Sequence, residues 1–135
     1  MRYSLILITA ASLVTLQSAR AQTAAQIASS AASPIQRGFA TMFDQRGGNC
    51  AACHSIPDAQ GKKSGIQSTF APPLDGVGTR YNKMQLMQWV VDARVVKPNT
   101  LMPPFGVDLN THTAKGRLLT DAQIAQVVAA LETLR

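Results

Sequence analysis

The two cysteines of this 135-residue chain stand three positions apart and are followed directly by a histidine, in the stretch GGNCAACHSIPDA. The spacing Cys50-x-x-Cys53-His54 is typical of covalent c-type haem attachment, in which each thiol adds across one vinyl group of the porphyrin. The histidine that follows is then placed to serve as an axial ligand of the iron. The motif therefore predicts a chain that folds around one covalently bound haem c.

Three other uses of these residues compete with haem attachment. A thioredoxin-type redox pair would follow a strand in a βαβ unit, and a zinc site would need a second pair of Cys or His ligands. The sequence offers neither context. A disulfide between Cys50 and Cys53 would close a very short loop and would leave His54 unexplained, so haem attachment is the favoured interpretation.

The first 21 residues have the layout of a secretory signal peptide. Arg2 gives a basic start, an apolar run extends from Leu5 to Leu16, and a small-x-small cleavage site ends at Ala21. The apolar run is too short to span a bilayer. We therefore expect a periplasmic protein without stable membrane insertion, an uncleaved anchor being the alternative.

Two further segments follow the signal peptide. Residues 22–33 are small and polar with no apolar periodicity, which predicts a flexible N-terminal arm. Residues 34–135 predict one all-α domain, in which three helices begin near Ser33-Pro34, at Asn82 and at the capping box that starts with Thr120. Apolar residues recur at helical spacing in each helix: Ile35, Phe39 and Met42 or Phe43; Leu86, Met87 and Val90; Ile124, Val127, Val128, Leu131 and Leu134.

This pattern predicts a class I cytochrome c-like fold, with three main helices and long loops around one haem. The chain is near the lower limit for a stable core, and its long connections need an apolar centre to wrap around. A buried haem would supply that centre. The pair Gly47-Gly48 predicts the end of the first helix just before the haem motif, and the first and last helices are expected to cross near the haem.

The haem iron needs a sixth ligand unless one position is left open for catalysis. Met102 is favoured, because NTLMPPFG places it in an extended, proline-fixed loop between the middle and last helices. His112 is the main alternative, and an open site is a third. The remaining candidates fall in helical segments, where methionine more often fills gaps in the core: Met42, Met84 and Met87.

The stretch APPLDGVGTRY contains the other predicted haem contacts. A carbonyl held by Pro72 is expected to accept the Nδ1 hydrogen of His54, which would orient the ring and raise its basicity. Arg80 and Tyr81, together with Trp89, are predicted donors to buried haem propionates. Core packing is the alternative role for the two aromatic residues.

Charge excludes one class of partner. The formal net charge of +6 arises from 13 basic and 7 acidic residues. The basic residues are scattered, without the long runs or interleaved aromatic residues of nucleic-acid-binding proteins, so no nucleic-acid partner is expected. They form a solvated face, or in part steer an acidic redox partner toward the haem edge.

Four segments together resemble a known family. In order and spacing, GNCAACHSIPDA, PLDGVGTRY, VVDARVVKPNTLMPPF and LTDAQIAQVVAALETL are similar to the small monohaem X subunit of the AX cytochrome in the bacterial sulfur-oxidation (Sox) system. The resemblance covers nearly all of residues 34–135. The stretches GVGTRY and NTLMPPF point to this family in particular, since the haem motif alone is common to c-type cytochromes. Ala71 departs from the pattern, because class I cytochromes often have Gly before this proline.

This resemblance implies a function. In the family, a haem-bearing A subunit and the X subunit form an L-cysteine S-thiosulfotransferase that oxidatively joins thiosulfate to a cysteine of the Sox carrier protein. Catalysis belongs to the A subunit. The X subunit, with His54 and Met102 carried over as axial ligands, would accept the electrons and pass them to another cytochrome, with no activity alone.

The sequence leaves two other functions possible, and it also predicts a pairing surface. One is a free-standing class I cytochrome c electron shuttle, and the other is a haem sensor or peroxidase with an open iron site. For the AX complex, the pairing surface is expected around the exposed haem edge, with a dry apolar centre near Pro103, Pro104 and Phe105.

Overall fold

The computed structural model describes residues 32–57, 62 and 68–135. The predicted signal peptide and most of the predicted arm lie outside the described residues. Within those ranges the structure is helical and has no strand, which confirms the all-α prediction. The elements are α1 (Pro34–Phe43), a 3-10 turn (Cys50–Ala52), α2 (Val77–Arg80), α3 (Lys83–Val96) and α4 (Asp121–Thr133). No helix of the described part combines the length and apolarity that crossing a membrane requires.

Side-chain caps set the starts of the three longer helices. In each case a cap side chain accepts a hydrogen bond from the amide three residues on, and the glutamine at that position accepts one from the cap amide. Each capping box satisfies two backbone donors that the helix leaves unpaired. All three predicted starts are thus confirmed, with the pairs Ser33–Gln36, Asn82–Gln85 and Thr120–Gln123.

The first and last helices cross at a glycine. A Cβ added to Gly38 would lie 2.0 Å from the Gln126 carbonyl oxygen and 2.9 Å from the Ala130 Cβ. Only glycine allows the backbones of α1 and α4 to approach this closely. Ile35 and Phe43, near the two ends of α1, are exposed.

The predicted apolar face of α4 forms the centre of the core. Its five members are all buried, and Met42 of α1 is completely buried against the same cluster. Met42 is therefore the residue that faces the core at this turn of α1, and Phe43 is not. The five predicted residues are Ile124, Val127, Val128 and Leu131 of α4 and Leu134, which follows directly as its C-cap; Ala130 of α4 is also buried.

A short helix that the hydrophobic pattern does not predict, α2, packs on the end of α4. Gly76 starts it in the left-handed conformation at φ 67°. The Gly78 amide donates to the Leu134 carbonyl at 2.9 Å, and a Cβ on Gly78 would lie 2.5 Å from the Glu132 carbonyl oxygen. Helical periodicity cannot reveal this element, because its four residues make little more than one turn.

Candidate functional site

The haem motif forms a tight turn, which residues 44–49 connect to the end of α1. Asn49 precedes the 3-10 turn in the left-handed conformation at φ 45°. The Cys53 and His54 amides both donate to the Cys50 carbonyl, at 3.1 and 2.9 Å. The Gly48 amide donates to the Thr41 carbonyl at 3.1 Å, which ties the motif to the end of α1. The turn therefore holds Cys50, Cys53 and His54 within one compact backbone unit.

Both cysteines are free thiols, so the structure does not support the alternative of a disulfide. Burial raises the pKa of the Cys50 thiol to about 11; the neighbouring Cys53 thiol also raises it, and a backbone hydrogen bond opposes the change. Reactive redox cysteines have lowered thiol pKa values. The shift at Cys50 is in the opposite direction and disfavours a thioredoxin-type role.

His54 is oriented by the carbonyl that the sequence singles out. Its Nδ1 lies 2.7 Å from the Pro72 carbonyl oxygen. Because a carbonyl can only accept, Nδ1 carries the hydrogen, and Nε2 is left with its lone pair for an iron. The predicted hydrogen bond is present, and Ala71 does not prevent it.

Backbone hydrogen bonds hold this carbonyl in place. The Ala71 amide donates to the Cys53 carbonyl at 2.8 Å, and the Leu74 amide donates to the Ser55 carbonyl at 2.9 Å. Pro72 lies between these two bonds. We call the two paired segments, residues 51–55 and 68–74, the histidine bracket. The bracket fixes the ring of His54 through the main chain, with little dependence on side-chain identity.

The predicted propionate donors make contacts within the chain, and Arg80 contacts the bracket. The Arg80 guanidinium donates to the Asp75 carbonyl and, at 3.3 Å, to the Pro73 carbonyl. Tyr81 and Trp89 contact each other edge to face, with ring centroids 6.3 Å apart. Arg80 thus supports the loop that carries Pro72. Haem contacts of Arg80 and Tyr81 stay predictions.

Among the methionines that the structure describes, Met102 alone lies on a loop, and it packs against the core. It is half-buried and packs on the central apolar cluster, as do Cys50 and Leu74. Its amide donates to the Thr100 hydroxyl at 3.2 Å, and the Thr100 amide donates to the Lys97 carbonyl at 3.0 Å. Axial ligation by Met102 stays a prediction.

The other candidate ligands occupy different surroundings. Met42 is completely buried in the core, whereas Met84 is 70% exposed on α3. His112 lies in an exposed loop, where its Nδ1 accepts a hydrogen bond from Arg94 at 3.1 Å. His112 thus belongs to a surface polar cluster, and the preference for Met102 over His112 as the sixth ligand stays a prediction.

The apolar surface near Met102 differs from the expected one. Pro104 is buried and Phe105 is only 7% exposed, because both pack inside this chain. The predicted apolar centre of the pairing surface is therefore wrong at Pro104 and Phe105, whereas Pro103 is exposed and stays a candidate. Leu101, directly before Met102, is instead 81% exposed.

Comparisons with known proteins identify the class. The cytochrome c family profile matches residues 35–135, so this chain belongs to the cytochrome c family. Among solved structures, it is similar to SoxXA from P. pantotrophus, known from a crystal structure. Sequence identity is 33%, the TM-score is 0.63, and the match covers 78% of this chain and 84% of that chain. No curated protein sequence matches the chain.

These findings confirm the class I cytochrome c fold and the SoxX-like resemblance. The family cofactor is covalent haem c, and the residues present fit it. Two unpaired thiols stand at the attachment spacing, and the His54 ring has its Nδ1 committed to Pro72. Cys50 and Cys53 would carry the thioether bonds, and His54 would bind the iron.

Proposed function

We propose that this chain is the electron-accepting haem subunit of a thiosulfate-oxidising AX-type cytochrome. The observation that carries the proposal is the similarity to SoxXA over 84% of the matched chain at 33% identity. The second haem-bearing subunit would hold the catalytic centre. This chain would work in the periplasm after removal of its signal peptide.

The proposed reaction of the complex joins the terminal sulfur of thiosulfate to a cysteine sulfur of a carrier protein. Formation of that S–S bond releases the thiol proton and two electrons. When bound, haem c supplies a centre that takes up and returns one electron at a time. The electrons would leave through a further cytochrome.

The residues of this chain serve attachment and axial ligation. Cys50 and Cys53 are its only cysteines, and both would be consumed by thioether bonds. The hydrogen bond to Pro72 fixes the tautomer of His54 and raises its basicity as a ligand. If Met102 also binds the iron, no coordination position would be left for thiosulfate, and the sulfur chemistry would require the partner.

Reconstitution tests this division of labour. Thiosulfate and the carrier protein are mixed with the holo chain alone, and then with the A subunit added. Haem reduction is followed by absorbance, and the carrier is followed by its mass. We expect thiosulfate-linked carrier and haem reduction only when both subunits are present.

Two results would count against the proposal. Thiosulfate-linked carrier formed with this chain alone would place catalysis here. A chain that neither binds the A subunit nor is reduced in its presence would instead be a free-standing electron shuttle. Size-exclusion chromatography of the two subunits together distinguishes a stable pair from a transient encounter.

A further inference from the structure

Helix α3 is interrupted near its end. Asp92 has φ −154° and ψ 95°, values of extended backbone inside the Lys83–Val96 helix. Its carboxylate accepts a hydrogen bond from the Arg94 amide at 3.1 Å. A side chain that accepts from the amide two residues on is an N-cap. Asp92 therefore ends one helical segment and starts the short segment that follows.

The kink at Asp92 frees two backbone carbonyls of α3 that bind the loop carrying Met102, residues 97–120, which we call the methionine loop. The Phe105 amide donates to the Val90 carbonyl at 3.2 Å, and the Gly106 amide donates to the Val91 carbonyl at 3.0 Å. In an uninterrupted helix these carbonyls would accept from amides four residues later in α3. The kink makes them available to the segment three and four residues beyond Met102.

The Arg94 side chain binds the methionine loop at two points farther along the chain. Arg94 donates through Nε to one carboxylate oxygen of Asp92 at 2.7 Å and through a terminal nitrogen to the other at 2.8 Å. The guanidinium also donates to the Leu109 carbonyl at 3.2 Å and to His112 Nδ1 at 3.1 Å. One arginine thus links the kink in α3 to two points of the loop.

From these contacts we infer that Asp92 and Arg94 are positioning residues for the Met102 ligand. The carboxylate keeps α3 broken where the loop needs free carbonyls, and the guanidinium clamps the loop on its other side. Neither residue touches the haem in this role. The inference rests on the proposed ligation by Met102.

The test uses the purified holoprotein and imidazole as a competing iron ligand. Arg94→Lys keeps the charge but loses the planar fork. Asp92→Asn keeps an oxygen acceptor for the Arg94 amide and loses the charge of the pair, so it is the milder change should Arg94→Lys fail to fold. Arg117→Lys is the matched control, because Arg117 pairs with Asp121 at 2.5 Å on the surface.

Three quantities are measured without denaturant on the oxidised protein: the sulfur-to-iron charge-transfer band, the imidazole affinity, and the helical circular dichroism. We expect a weakened band and about tenfold tighter apparent imidazole binding in Arg94→Lys, because the open state becomes more populated. Asp92→Asn should change in the same direction, while Arg117→Lys should match the wild type.

A wild-type band and wild-type imidazole affinity in both Asp92→Asn and Arg94→Lys would overturn the inference. The same applies if urea unfolding shows lower stability but the band and affinity do not change, since the residues would then serve the scaffold only. Met102→Ala is measured in parallel. If it removes the band while the two variants do not, only this inference fails; if it leaves the band intact, the ligation itself is wrong.

Discussion

The two sides of the haem site are held in different ways. On the histidine side, the bracket orients His54 through main-chain hydrogen bonds, the key acceptor being the Pro72 carbonyl. On the methionine side, the loop around Met102 depends on a kink at Asp92 and on the guanidinium of Arg94. Substitutions of single side chains should therefore disturb the methionine side more readily, while the haem stays attached on the other side.

The largest expected effect comes from the attachment residues. Replacing both Cys50 and Cys53 by Ser should abolish covalent haem binding, because serine hydroxyls do not form the thioether bonds. Mass spectrometry of the denatured protein should find the bare chain. Met102→Ala serves as the comparison and should keep the mass of one haem. Haem mass retained in the double Ser variant would refute covalent attachment at this motif.

Loss of the methionine ligand should change the iron without releasing the haem. A thioether ligand raises the reduction potential, so Met102→Ala should lower the potential and remove the charge-transfer band. Met87→Ala is a suitable control, since Met87 is also partly buried against the core but lies on a helix. A band that survives in Met102→Ala, or that disappears in His112→Ala instead, would show that the ligand assignment is wrong.

The close packing of Gly106 against α3 and α4 can be tested by its effect on the stability of the fold. A Cβ on Gly106 would lie 2.9 Å from Val91 Cγ1 and 3.0 Å from Ile124 Cδ1. Overpacking of this kind costs about 1–3 kcal/mol, so Gly106→Ala should lower the free energy of unfolding by that amount. Urea unfolding followed by circular dichroism measures it.

Gly47→Ala is the matched control next to the haem motif. Its Cβ would lie 3.1 Å from Asp44 Oδ2, an exposed side-chain atom that can move away. The expected change is within about 0.5 kcal/mol. Equal losses of stability in the two variants would mean that close packing at Gly106 does not distinguish the methionine side.

The histidine side could be predicted from the sequence because its residues form a contiguous motif. Cys50, Cys53 and His54 specify the attachment chemistry by spacing alone, and Pro72 follows from the need for an acceptor at Nδ1. The three capped helices were also predictable, since a cap and a repeating apolar face are local signals. These features need no knowledge of long-range contacts.

The methionine side was only partly predictable. Met102 stands out because prolines follow it in a loop, but its anchors are long-range contacts made at the break in α3. An acidic residue within the apolar run VVDARVV is the only sequence signal of that break. The buried position of Phe105 likewise depends on the hydrogen bond from its amide to the Val90 carbonyl of α3, and no local pattern indicates it.

The smallest expected effect is a dependence of stability on pH. The hydrogen bond from Arg94 lowers the pKa of the Asp92 carboxyl; the charge of Arg94 acts in the same direction, and burial opposes both. A carboxyl with a lowered folded-state pKa stabilises the fold above its unfolded pKa, and this contribution is lost as the pH falls through the folded value.

Wild-type protein should therefore lose more unfolding free energy than Asp92→Asn between about pH 6 and about pH 3. Urea unfolding of both proteins at each pH provides the comparison. Asp108, whose pKa is lowered by hydrogen bonds from the Thr111 and Asn110 amides, is present in both proteins and so cancels in the difference. Identical pH profiles would show that the Asp92–Arg94 pair does not stabilise the methionine side.

X-ray absorption at the iron edge tests most directly whether both sides meet at one iron. The oxidised wild-type holoprotein should show a single sulfur neighbour of the iron, contributed by Met102, and nitrogen neighbours from the porphyrin and His54. The sulfur neighbour should disappear in Met102→Ala, while the nitrogen from His54 remains. A wild-type iron with nitrogen neighbours only, or a sulfur neighbour that persists in Met102→Ala, would contradict the account.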